Sequence, residues 1–245
     1  MKMLSLISTR NNRRAALALA AVCGAMLQAS RAEADLSGVW VVTNYARELK
    51  TADGNTPPLL PDAAKLYNQR RAQLAKGDSS FDIVASRCGP PGLPRVMMLP
   101  YAFEIVQNPQ RLVFLFEWNR MYRRVDIDGP SMNAEDLQLT GRATGRWEGT
   151  TLAVTTTDID DTLLDASGMP HSSDLKITER LHLLDDKTLE DDMRLEDDKS
   201  FSAPWNTKVI YRKLPKGYEV KEFVCLDHFK TSPAVVENNY LNYPR

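Results

Sequence analysis

The chain has 245 residues, of which 43% are hydrophobic, and a formal net charge of −1. That length and apolar content suffice for one sizeable core and fit one domain better than two. A balance this close to neutral gives no footprint for nucleic acid or an anionic lipid surface.

At the N-terminus, Arg10, Arg13 and Arg14 precede an apolar run from Ala15 to Leu27, and Ala32-x-Ala34 follows. A basic head, a short apolar middle and a small-residue exit are the parts of a secretory signal. The run is too short to span a bilayer. "NRRAAL" also resembles a twin-arginine export signal. Cys23 follows Val22, where lipoprotein processing needs a small residue, so no lipid anchor is expected. Residues 1–34 are therefore expected to be a signal peptide, and 35–245 a single domain, periplasmic or secreted. The leader holds five basic residues and one acidic one, so the remainder is net acidic. No later stretch is apolar enough to cross a membrane, so a soluble product is expected.

After Ala34 the pattern is mainly two-residue alternation broken by turn signals. "LSGVWVVTNY" starts a strand and "TADGNTPPLLP" is a loop. "DAAKLYNQRRAQLAKG" predicts the one long helix, Asp62 to Lys76, with Pro61 at its start and Gly77 past its end. Its apolar positions are sparse, which places it on a surface or across an opening. "RCGPPGLPR" reads as a stiff loop. "YAFEIVQ" and "RLVFLFEW" flank the turn "NPQ", and "NRMYRRVDI" stops at "DGP". "ATGRW" and "TLAVTTTDI" flank "EGT". "LKITERLHLL", "TLEDDMRLED", "TKVIYRKL" and "YEVKEFVCL" complete roughly ten strands. "DDK", "EDD" and "EDDK" read as solvated turns. Such spacing indicates a closed barrel or a sandwich.

Beyond the leader only Cys88 and Cys225 remain. In an oxidising compartment such a pair is expected to bridge, tying the loop to the last predicted strand. A cysteine nucleophile or a metal ligand is the alternative. Two cysteines and three histidines show no zinc spacing. "DIDDTLLD" has Leu163 where a calcium loop needs glycine. With no phosphate loop and no dinucleotide fingerprint, neither cofactor nor metal is expected.

Gly38-Val39-Trp40 on the first strand resembles the Gly-x-Trp element of lipocalins and other calycins. That resemblance implies a mainly β, calycin-like antiparallel barrel with one helix covering an end. It also implies that Trp40 closes one barrel end under an arginine from a late strand, with Arg212 in "VIYRKL" as the candidate. "CGPPGLPR", "PYAFEIVQ", "FEW", "GRWEG" and "PHS" resemble stretches of secreted bacterial proteins, a likeness that implies no activity.

Alternation also shows charges among apolar neighbours. Glu179 shares a face with Leu175, Ile177, Leu181 and Leu183. Glu222 shares one with Tyr218, Val220 and Val224, and Arg123 one with Met121, Val125 and Ile127. Buried charges cost several kcal/mol unless paired, so Arg123 is expected to meet Glu179, Glu222 or both. Such a network either fixes register or forms a polar site where desolvation shifts carboxyl pKa values. His171, in the loop "DASGMPHSSD", is the best-placed histidine for acid–base work. No Gly-x-Ser-x-Gly element supports a serine hydrolase.

Tyr101 and Phe103 on one predicted face, and Phe114, Phe116 and Trp118 on another, read as core or as the lining of a ligand site. Arg95, beside Met97 and Met98, is placed to hold a carboxylate at the rim. The expected function is a cofactor-free lyase or isomerase acting on a small apolar or aromatic compound in the cavity. Phenolic acid decarboxylases supply a fold-level analogy. A periplasmic carrier using the same cavity is the alternative. Oligomeric state stays open.

Overall fold

The alternating segments form β1 (Gly38–Val42), β2 (Phe103–Asn108), β3 (Arg111–Phe116), β4 (Tyr122–Ile127), β5 (Arg142–Glu148), β6 (Thr151–Thr157), β7 (Lys176–Asp185), β8 (Thr188–Glu196) and β9 (Trp205–Lys213). The structure is a computed structural model that describes residues 33–129 and 138–225. The predicted signal peptide up to residue 32, with Cys23, and Leu226 at the end of the last predicted strand lie outside those residues. The nine strands close into one barrel, each paired with its sequence neighbour and β9 with β1. Eight of the pairings are antiparallel. The β4–β5 pair, Val125 against Ala143, is parallel and departs from the all-antiparallel expectation.

Alternation sets the lining. Phe103, Ile105, Leu112, Phe114, Val125, Leu152, Ile177 and Leu195 are all buried in one apolar cluster. Tight turns at Pro109, Gly149 and Asp186 gather at one end of the barrel. Residues 43–102, 158–175 and 197–204 gather at the other. This second, helical end carries α1 (Pro61–Leu74), α2 (Ile83–Arg87) and α3 (Arg95–Met98). Helix α1 lies close to its predicted range and buries only Ala63 and Tyr67. Tyr67 alone reaches the main core, as expected of a helix with sparse apolar positions. The stiff loop holds α3, whose four residues are all buried and plug the mouth.

At the hairpin end Trp40 is fully buried and its Nε1 donates to the Leu36 carbonyl at 3.0 Å. The cation over it is Lys213, not Arg212, with Nζ 5.0 Å from the ring centroid. Parity explains the correction. Tyr211 and Lys213 share the inner face of β9, whereas Arg212 points the other way. Gly38, at φ +133°, leaves room for the lysine stem, which a Cβ there would strike. Glycine, tryptophan and lysine thus form one closing device.

The predicted tenth strand "YEVKEFVCL" does not form among the described residues. Once β9 pairs with β1, the barrel has no edge left to receive it. Residues 215–225 instead run along the outside of the barrel, held by Glu117. That carboxylate accepts from the Tyr218 hydroxyl at 2.8 Å and the Lys221 amide at 2.9 Å. Cys225 is bridged to Cys88 with Cα atoms 5.4 Å apart, so the disulfide joins the end of α2 to this tail. No helix among the described residues is long and apolar enough to cross a membrane.

Candidate functional site inside the barrel

Five polar side chains meet in the apolar interior: Arg123 from β4, Thr156 from β6, Glu179 from β7, Asp191 from β8 and Tyr211 from β9. All five are 0% exposed. Arg123 Nη1 donates to Glu179 Oε1 at 2.7 Å, and Nη2 donates to Glu179 Oε2 and to Thr156 Oγ1. The guanidinium also lies 5.3 Å from the Phe114 ring centroid. Strand register places Asp191 beside Leu181 on β7 and Val209 on β9, and Tyr211 beside Leu189 and Val42. The Tyr211 hydroxyl has no hydrogen-bond partner among the described residues, and the Asp191 carboxyl meets only the Glu179 carboxylate, with which its proton is shared.

The electrostatics follow from burial. Desolvation pulls the Arg123 pKa down, but the Glu179 charge and its hydrogen bonds outweigh that and raise it, so the guanidinium stays charged. Asp191 is pushed well above the ordinary carboxyl range, first by burial and then by the Glu179 charge. Burial likewise raises the Tyr211 phenol, with Asp191 and Glu179 adding to it. The cluster therefore pairs one cation and one carboxylate with two neutral acids. Neutral acids of this kind can donate a proton or a hydrogen bond.

Of the residues predicted for the site, Arg123 and Glu179 are brought together and Glu222 is not. The Glu222 side chain is 75% exposed on the tail and pairs with Arg120 at 2.8 Å. Its apparent inward face presumed a strand that the closed barrel excludes. His171 is buried at the helical end, away from these strands. Its Nε2 accepts from the Thr162 amide at 3.2 Å, and its Nδ1 faces the Ser172 carbonyl at 2.8 Å. Both ring nitrogens are committed, and burial lowers the pKa, so the ring is held neutral. Arg95 does not stand at an open rim. Its Nη1 and Nη2 each donate at 2.8 Å to Asp82, which also caps α2 through the Val84 amide.

The aromatic set divides. Phe103, Phe114 and Phe116 line the barrel, whereas Tyr101 and Trp118 stack with Phe223 of the tail, at 4.7 and 5.5 Å. Met98 sits at the helical end and belongs to the main core.

Asp191, Tyr211 and Thr156 escaped the sequence reading. Asp191 belongs to "EDD", read as a solvated turn, yet it alternates with Leu189, Met193 and Leu195 on the inner face of β8. The face test that found Glu179 finds Asp191 when applied to this strand. Tyr211 and Thr156 gave no charge signal, since both are common on ordinary strands.

On the outer face His182, Glu190 and Asp192 come close enough together to hold a cation. The Lys208 ammonium already lies among them, 2.9 Å from Glu190 and 3.4 Å from Asp192. No family model matches the chain, and no curated protein matches it.

Proposed function

We propose that this is an exported barrel protein, periplasmic or secreted, that admits a small apolar or aromatic compound to its interior. There it acts by proton transfer, without a cofactor, as a lyase or isomerase. The observation that carries this reading is the pair Asp191 and Tyr211. Both are fully buried and held neutral; the Tyr211 hydroxyl has no hydrogen-bond partner among the described residues, and Asp191 shares its proton with Glu179 alone. Buried polar groups are normally satisfied, and exceptions concentrate where a ligand or catalysis needs them. Asp191 would supply the proton and Tyr211 would orient the acceptor. Glu179, fixed by Arg123, would stabilise the positive charge that develops or take a proton back. The disulfide supports placement in an oxidising compartment.

A carrier is the second reading, and one observation favours it. Arg123 is already engaged by Glu179 and Thr156, which leaves it committed rather than ready for an anionic substrate. Incubation with a metabolite mixture, followed by mass spectrometry of the mixture and of the native protein, separates the two. Consumption that is lost in Asp191→Asn supports the enzyme. A retained, unchanged compound supports the carrier. Neither consumption nor retention would sink both.

A further inference from the structure

A site so deeply buried needs a way in, and the seam between β1 and β9 is short of strand pairing. Strand β1 ends at Val42, whereas β9 begins at Trp205, so the first part of β9 has no β1 neighbour. Two backbone bonds stitch this stretch. The Thr43 amide donates to the Ile210 carbonyl at 2.9 Å, and the Ala52 amide donates to the Asn206 carbonyl at 2.7 Å. Lys208 lies between them. Because alternate residues of a strand direct their N–H and C=O to the same side, its backbone faces the gap.

A cavity of about 300 Å³ occupies this gap, and Val42, Leu49, Met98, Thr207 and Val209 are among its lining residues. Thr207 and Val209 share the inner face of β9 with Tyr211, so the cavity is lined in part by inward-facing residues. Val42, Met98, Thr207 and Val209 keep 6 to 9%, whereas Arg123, Glu179, Asp191 and Tyr211 keep none. Two of these residues are also the cross-strand neighbours of the buried acids: Val209 of Asp191, and Val42 of Tyr211. Side chains in such pairs lie roughly 5 Å apart at Cβ. Outside and site are separated by one layer of side chains.

We infer that this gap is the lateral portal and first seat of the ligand, and that the ligand is an uncharged apolar compound carrying one acceptor oxygen. The inference rests on the interior site proposed above. The apolar residues take the body of the compound. The Thr207 hydroxyl and the Lys208 backbone meet its polar end on the way in. Inside, the Tyr211 phenol offers a free hydrogen bond to a carbonyl or phenolic oxygen, and the neutral Asp191, its proton shared with Glu179, stands close by. An anionic group would instead be desolvated beside the Glu179 carboxylate, at a cost that burial makes large.

Methionine-methyl NMR of the full exported chain tests this with acedan, an uncharged fluorescent naphthyl ketone. Met98 reports on the portal, and Met193, the cross-strand neighbour of Glu179, reports on the interior. The expected result is a saturable shift of both methyls. Ala46→Trp, a change at an exposed residue on the rim of the gap, should then weaken binding about tenfold or more. A naphthalene sulfonate should bind at least about tenfold more weakly than acedan. A shift of Met193 without Met98 would overturn the portal and leave the interior site standing. A shift of Met98 without Met193 would keep the seat and reject the interior site. Shifts of neither methyl, or tighter binding of the sulfonate, would overturn the inference.

Discussion

Arg123 on β4 and Glu179 on β7 meet across the barrel lumen, although β5 and β6 stand between their strands in the sheet. Their contact is therefore not a ladder neighbourhood but a strut through the core. Both groups are fully buried, so each depends on the other for its charge to be tolerated.

Removing one partner should accordingly be worse than removing both. Arg123→Met or Glu179→Leu alone is expected to cost roughly 3–5 kcal/mol in denaturant unfolding, because a buried charge is left uncompensated. The double variant should recover much of that loss. Single changes that are harmless and simply additive would show that the two residues are not coupled. Activity in the recovered double variant then separates a scaffold from a site.

Asp191 should make the folded protein more sensitive to rising pH. Its pKa is raised on folding, so its contribution is fully present below the unfolded carboxyl value, near 3.8. It is lost as pH rises through the folded value, because the unfolded chain ionises there while the folded one keeps the proton. Asp191→Asn cannot ionise. Its stability relative to the parent should therefore grow above pH ~4, by about 1 kcal/mol per pH unit until the folded carboxyl titrates. Parallel curves for the two proteins would mean that Asp191 is charged in the native state and cannot be the proton donor.

How much of this was legible beforehand depended on whether local pattern or closure decided the outcome. The barrel was legible, because alternation and turn spacing are local, and Arg123 and Glu179 stood out as charges on apolar faces. Glu222 failed the same test because its face required a strand, and only the β1–β9 seam decides that no strand can be added there. Arg212 failed by one residue of parity, which moves a side chain from the lumen to solvent. Asp191 was hidden by its acidic neighbours Glu190 and Asp192, whose outward faces made the whole run look solvated. Tyr101 and Trp118 looked like lining because their partner, Phe223, comes from a distant tail.

The disulfide fastens that tail and not the barrel itself. Non-reducing peptide mass analysis should recover Cys88 cross-linked to Cys225. Closing so long a loop is worth roughly 4–5 kcal/mol in the chain-entropy account, so the double change to alanine should lower stability by up to that amount. Barrel strands should keep their amide protection in the variant, while the tail and the Trp118 indole lose theirs. Equal loss of protection in β7 and β8 would show that the bridge holds the barrel together as well.

His171 should contribute a separate, acid-side dependence. Burial lowers its pKa below the ordinary value of 6.5, and the neutral ring is satisfied on both sides, with Nε2 accepting from the Thr162 amide. A proton on Nε2 would set two donors against each other. The unfolded histidine takes up that proton as pH falls through 6.5 while the folded one excludes it. Its contribution is thus complete above the unfolded value and is lost on acidification, until the folded ring itself titrates. Within that window the parent should lose about 1 kcal/mol per pH unit relative to His171→Gln, whose amide does not titrate. Thermal or urea unfolding between pH ~5 and ~7 measures the difference, and NMR of the imidazole locates the folded pKa directly. A ring that titrates near 6.5 in the folded protein, with a pH-independent difference between the two proteins, would show that its nitrogens are open to solvent. The histidine would then return as an acid–base candidate.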